Sequence, residues 1–225
     1  MTERTQDAWS IQAVVFDLDG TLIDTEPIFH EAARRLLARH GKELDITVMR
    51  SMMGTPAREA LPLFRAGHGL TETVEQLAVA YREHFTAAAG GEPMRLLPGV
   101  LDLFALLERQ RIPKAIGTSS TLPYVKRVLT PHGLLERFNF ILTADDVTHG
   151  KPHPEMFLKA ADRFGVPPAN VLVIEDSVNG MKAAKAAGAK CIVVPHDLVP
   201  REELHLADAV VPRIDAPAVL AVFGG

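Results

Sequence analysis

The sequence predicts an α/β protein: a parallel β-sheet with helices on both faces, interrupted by one all-helical insertion. Three observations support that expectation. Short, almost wholly apolar runs bounded by polar, Gly or Pro residues recur along the 225-residue chain, as strands buried on both faces do. Helical patterns fill most of the gaps between them, and parallel neighbours need such a crossover. The alternation breaks once, from about Asp24 to Leu97, where only helical patterns appear.

In chain order, "AVVFD" (13–17), "KAIGT" (114–118), "FNFILT" (138–143), "NVLVIED" (170–176) and "KCIVV" (190–194) read as strands, and "ADAVVP" (207–212) as a sixth. Between them "VLDLFALLERQ" (100–110), "LPYVKRVL" (122–129), "PEMFLKAADRF" (154–164) and "NGMKAAKAAG" (179–188) read as helices, the last two closed by Gly165 and Gly188. A final helix is expected near "APAVLAVF". Inside the insertion, Pro27 opens a helix that places Ile28, Ala32, Leu36 and Leu37 on one side and stops at Gly41. A second starts with Thr71 as N-cap and aligns Val74, Leu77, Ala78, Tyr81 and Phe85, with shorter pieces at 45–53 and 55–66 between the two. The expected division is a core of 1–23 and 98–225 and a helical unit of 24–97.

Lys plus Arg number 24 against 28 Asp plus Glu, and no basic cluster stands out, so nothing points to nucleic acid or an anionic membrane. The start "MTERTQDAWS" has no apolar stretch of signal length, and no later run reaches the ~20 residues of a membrane span; a cytoplasmic protein is expected. The single cysteine, Cys191, reads as a buried strand residue.

Open parallel sheets bind ligands beyond the carboxyl ends of their strands. Asp17 and Asp19, then Thr118, Ser119 and Ser120, then Lys151 in "THGKPHPE", then Glu175 and Asp176 all fall there. Singly, each has an ordinary reading as a turn aspartate, a helix cap or a solvated lysine. Their convergence on one edge outweighs those readings. Side chains two apart in an extended segment share a direction at about 6.5–7 Å. A third carboxylate from Asp176 makes a crowd that needs a cation or a proton, and an all-oxygen set suits Mg²⁺. The same ion would offset a phosphate dianion, while Lys151 and Thr118 hold the other phosphoryl oxygens.

These residues also resemble the four motifs of the haloacid dehalogenase superfamily: "DLDGT" (17–21), Thr118 after an apolar strand, Lys151 in "GKPHPE", and "IEDSVNG" (174–180). The likeness spans nearly the whole chain, and the insertion resembles that superfamily's small helical cap, near its phosphatase and beta-phosphoglucomutase branch. It implies a Rossmann-like core and assigns roles. Asp17 is the nucleophile that becomes an aspartyl phosphate, and Asp19 the general acid and then base. Mg²⁺ is held by Asp17, the Asp19 backbone carbonyl and Asp176, with Glu175 either a further ligand or a support. Gly20 allows a sharp turn towards the phosphoryl group, with Thr118 and Ser119 binding it.

The implied activity is Mg²⁺-dependent hydrolysis of a small phosphorylated metabolite such as a sugar phosphate. A halide leaving group needs no proton, so Asp19 argues against dehalogenation. Phosphonate chemistry needs a cap lysine; Lys42, the only lysine between 24 and 97, sits past a helix terminator. The alternatives are a beta-phosphoglucomutase-like mutase, whose cap histidine and lysine align with Phe29 and Met53 here, and a non-catalytic phosphate-binding module. Glu26, His30 and Arg58 are the candidate cap contacts to substrate. His149 and His153, flanking Lys151, read as loop polar groups. The expected state is a monomer or weak homodimer.

Overall fold

Ala13–Phe16 form the central strand, β1, with every residue buried. A computed structural model describes residues 9–224 of the chain, so most of the starting segment "MTERTQDAWS", on which the cytoplasmic expectation drew, lies outside the described residues. The other strands are β2 (Lys114–Gly117), β3 (Phe140–Leu142), β4 (Val171–Glu175), β5 (Lys190–Val193) and β6 (Ala209–Val210). All pair in parallel in the order β3-β2-β1-β4-β5-β6. Phe16 stands level with Ile116 on one side and Ile174 on the other, so β1, β2 and β4 end at a common rim.

The apolar runs work by the period-two alternation of strands. Val14, Phe16, Ile116, Leu172, Ile174 and Ile192 face one buried cluster. Val15, Ala115, Val171, Val173, Cys191 and Val193 face the other. Helices α5 (Val100–Arg109) and α6 (Leu122–Leu129) cover the first face, joined by α9 (Pro217–Ala221), while α7 (Glu155–Phe164) and α8 (Val178–Ala186) cover the second. The expected sixth strand shrinks to two residues, as suits a sheet edge with a single neighbour.

Four helices lie in the insertion: α1 (Glu26–Ala38), α2 (Ile46–Met52), α3 (Ala57–Gly67) and α4 (Val74–Ala89). They bury a cluster of their own around Ala33, Leu36, Leu37, Met49, Phe64, Leu70 and Leu77. Two of its boundaries differ from expectation. The N-cap of α4 is Thr73, not Thr71, because a capping box closes there: Thr73 Oγ1 accepts from Gln76 N at 3.2 Å and Gln76 Oε1 accepts from Thr73 N at 2.9 Å. Helix α1 stops at Ala38, before Gly41, where the Leu37 carbonyl takes the N–H groups of His40 and Lys42 instead. The insertion leaves and rejoins the core side by side. Ile23 bridges Leu96 in antiparallel sense, Asp24 N donates to Arg95 O at 2.9 Å, and Leu97 N to Leu22 O at 2.9 Å. No helix among the described residues is long and apolar enough to cross a membrane.

Candidate active site

At the rim, β1 ends and Asp17 follows, its backbone N–H donating to Ile174 O at 2.9 Å. Strand geometry stops at Phe16, so the two-apart spacing expected for Asp17 and Asp19 does not set their directions; the bend at Leu18, itself fully buried, does. Lys151 reaches the same point from the β3–α7 loop. Its Nζ lies 2.5 Å from Asp17 Oδ1, 2.5 Å from Glu175 Oε1 and 3.0 Å from Gly117 O, on a side chain with no exposure. Burial works to strip its proton, but Asp17 and Glu175 outweigh that and hold the ammonium well above the usual lysine range. The same burial pushes Asp17 up to about 7, against the pull of Lys151 and with the help of Glu175 and Asp19.

Asp19 is gripped from the other side. Ser120 Oγ donates to one of its oxygens at 2.7 Å and Tyr124 Oη to the other at 2.7 Å. Burial raises its pKa, while these hydroxyls, which favour the ionised form, lower it; burial wins. Sequence reading named Ser120 only as one of a polar run and missed Tyr124. A tyrosine on an amphipathic helix carries no signal until the helix is placed against the loop it serves.

Glu175 is fully buried, and both its oxygens are engaged: Oε1 by Lys151, Oε2 by the backbone N–H of Asp176 and Ser177 at 3.1 Å each and by Ser177 Oγ at 2.9 Å. Lys151 and the turn thus engage Glu175 on both oxygens, with one Oε1 lone pair left over. Asp176, by contrast, makes no side-chain hydrogen bond among the described residues and has only the imidazole of His196 at 3.9 Å. Burial first, then Glu175, Asp17 and Glu26, push its pKa well above the carboxylate range. One buried ammonium therefore faces several crowded carboxylates, with the Asp176 oxygens unclaimed. That donor set, hard oxygen and short of positive charge, fits a divalent cation such as Mg²⁺.

Gly20 adopts φ +75°, and a Cβ there would collide with Asp176 Oδ2, so glycine keeps room for this carboxylate. Thr118 is buried, with its N–H on Leu142 O at 3.0 Å and its Oγ1 accepting from Ser120 N at 3.1 Å. Ser119 turns away from Asp19 and donates to Gly54 O of the insertion at 2.8 Å. Arg58 is likewise spent across the seam, on Ala144 O at 3.3 Å and Thr148 O at 3.2 Å. Glu26 and His30 do overlook the rim. Glu26 Oε2 lies 3.7 Å from His30 Nε2 and 3.6 Å from His196 Nε2, and Glu26 is pushed up to about 7 by burial and by Asp19 and Asp24. His196, unforeseen, follows β5; burial and His30 lower it to about 4. Asp17, Asp19, Thr118, Lys151 and Asp176 thus share one rim, with Arg58 and Ser119 at its seam with the insertion.

Residues 11–188 match the haloacid dehalogenase-like hydrolase family. Validoxylamine A 7'-phosphate phosphatase of Streptomyces hygroscopicus subsp. limoneus is 38% identical over 185 residues, 80% of this chain and 84% of that one. The phosphorylated carbohydrates phosphatase of Thermotoga maritima is 34% identical over 201 residues, covering 89% and 93%. Among solved structures, a mutant of CbbY from Rhodobacter sphaeroides, crystallised in complex with xylulose-(1,5)bisphosphate, superposes with a TM-score of 0.80 at 30% identity, over 95% of this chain and 99% of that one. In sequence and in fold alike, this chain belongs to the haloacid dehalogenase-like hydrolases.

Proposed function

We propose that the protein is a Mg²⁺-dependent phosphatase that hydrolyses a small phosphorylated metabolite of the sugar-phosphate kind through an aspartyl phosphate on Asp17. The buried Lys151, bound at once to Asp17 and Glu175, is the observation that supports it best. The phosphatase relatives, one of them named for phosphorylated carbohydrates, support the same reading.

Lys151 holds Asp17 in place, and its charge favours the carboxylate that attacks phosphorus. The leaving alcohol takes its proton from Asp19, whose raised pKa suits that task. Water then attacks the aspartyl phosphate as Asp19 removes its proton, and Asp17 is regenerated with release of inorganic phosphate. Thr118 closes the phosphoryl pocket beside Lys151, while Ser119, expected there from sequence, is spent on Gly54 O. Asp17, Asp176 and the Asp19 backbone carbonyl would hold Mg²⁺, which supplies positive charge against the phosphoryl oxygens. The insertion, 24–97, serves as the cap: it shields the reaction from water and offers Glu26 and His30 towards the leaving group, with Arg58 tying it to the core.

The mutase reading fares worse. Phe29 packs its ring on Phe85 at 4.9 Å, though His30 beside it brings an imidazole to the rim; Met53 offers only a backbone carbonyl, to Asn179 Nδ2 at 2.8 Å, so the cap ammonium a mutase needs is what the position lacks.

The test is phosphate release from p-nitrophenyl phosphate and a panel of sugar phosphates with Mg²⁺. Activity is expected in the wild type and lost with EDTA or in Asp17→Asn, which retains at most background rates. An inactive wild type across the panel overturns the reading in favour of a binding module, and glucose 6-phosphate formed from beta-glucose 1-phosphate overturns it in favour of a mutase.

A further inference from the structure

The loop that delivers Lys151 to the rim carries a second group of ligating side chains on its outer side. His149, His153 and Glu155 each offer one ligating atom, and these atoms all lie within 4.8 Å of one another. From sequence the two histidines read as separate loop groups; the structure adds Glu155, the first residue of α7, and closes the set.

The three members are already tied to one another and to the loop backbone. Glu155 is fixed by its surroundings: Oε1 accepts from Thr148 N at 3.0 Å and from Lys159 Nζ at 2.7 Å, and Oε2 accepts from His149 N at 2.9 Å. Oε2 therefore keeps a lone pair on the histidine side, 3.3 Å from His149 Nδ1. That spacing is close to the edge of a tetrahedron with metal–ligand bonds of about 2.1 Å, roughly 3.4 Å. His153 Nδ1 accepts from Glu155 N at 3.3 Å, a bond that a metal at that nitrogen would replace. The two rings are stacked with centroids 4.6 Å apart and tilted by 36°. Both histidines are exposed, His149 with 64% of its side chain accessible, so the rotations that would draw all three atoms onto one ion give up only the mutual stacking of the rings and no core packing.

We propose that His149, His153 and Glu155 form a transition-metal site, distinct from the acidic rim, that takes ions of the Zn²⁺, Ni²⁺ and Co²⁺ class. Two imidazoles and one carboxylate select such ions over Mg²⁺, which prefers oxygen throughout. The histidine spacing, three residues between them, is within the range zinc sites use. Water completes the coordination, because the site opens to solvent. It does not depend on the phosphatase reading, since none of its ligands contacts Asp17, Asp19 or Asp176 among the described residues.

Equilibrium dialysis of tag-free protein against Ni²⁺ tests it, in an Asp176→Asn, His196→Ala background that dismantles the other group of ligating side chains, Glu26, Asp176 and His196. One bound equivalent is expected, and adding His149→Ala with His153→Ala weakens binding about ten-fold or more. Paramagnetic broadening by Ni²⁺ of the His149 and His153 ring resonances, before those of the other histidines, is the second readout. Ni²⁺ binding unchanged by the double histidine substitution, or broadening that spares both rings, overturns the proposal.

Discussion

Two hydroxyls decide what Asp19 can do. Ser120 and Tyr124 both donate to it, and donors to a carboxylate favour its ionised form. Tyr124→Phe removes one donor without emptying the pocket, so the Asp19 pKa rises further. Less Asp19 is then ionised at a given pH, so with hydrolysis of the aspartyl phosphate limiting, where Asp19 acts as base, the acidic limb of the pH–rate profile moves to higher pH and kcat falls about 10- to 100-fold on the acid side. An unmoved limb would show that Asp19 does not titrate in the rate-limiting step. Gly20→Ala is a sharper intervention, because its Cβ collides with Asp176 Oδ2 in a backbone conformation that side chains avoid. The Mg²⁺ concentration for half-maximal activity should rise about 10-fold or more, as for a disturbed ligand shell. That Asp17, Asp19, Lys151 and Asp176 meet at one rim was legible in the sequence, because the aspartates follow apolar runs that end there and Lys151 lies in the loop after another. Ser120 could not be told from Ser119: in a loop the direction of a side chain follows from where the chain bends, and here one hydroxyl turns to Asp19 and its neighbour to the insertion.

Helix starts and strand edges act as brackets around this chemistry. Ser177 caps α8 by accepting from Gly180 N at 3.0 Å and, with the same hydroxyl, donates to Glu175. A Cβ on Gly180 would overlap the Glu175 carboxylate, so Gly180→Ala displaces the partner of Lys151. Lower activity together with a lower melting temperature is expected, measurable by calorimetry beside the assay. Further along, Asp208 ties α8 to β5: its carboxylate accepts from Lys185 at 2.6 Å, Lys190 at 3.2 Å and Cys191 N at 2.9 Å. Burial raises its pKa, but those three partners together bring it below the ordinary value. An acid with a depressed folded pKa stabilises the fold above its unfolded value, about 3.9, and that share is lost as pH falls through the lower one. Both lysines are partly solvated, which screens their share, so Asp208→Asn should cost about 1–2 kcal/mol near neutrality. It should also make unfolding less sensitive to acid, as denaturant titrations at several pH values would show. Element types were readable from periodicity, and boundaries less so: Thr71 and Thr73 both suit an N-cap, and only the reciprocal bond to Gln76 separates them.

Across the molecule, insertion and core meet through a small set of polar ties. Ser119 binds Gly54, Asn179 binds Met53, Arg50 reaches Leu198, and Arg58 spans to Ala144 and Thr148. Arg58→Ala distinguishes a tie from a substrate contact. A tie gives faster hydrogen exchange along α2 and α3 with a similar KM for every ester, whereas a substrate contact raises KM for sugar phosphates but not for p-nitrophenyl phosphate. The presence of an insertion was evident from the gap in the strand pattern. Its seam was not, because ties between distant segments leave no local trace in either one.

The departure and return of the insertion at Ile23 and Leu96 has a consequence for how such a chain acquires new substrates. Both crossing points are pinned to each other by backbone hydrogen bonds, so the sheet experiences the whole helical unit as a short hairpin, whatever its length or sequence. A foreign unit spliced between those two crossing points would present a new ceiling to the same acidic rim without disturbing the register beneath it. Selectivity can thus diverge while the machinery below stays fixed.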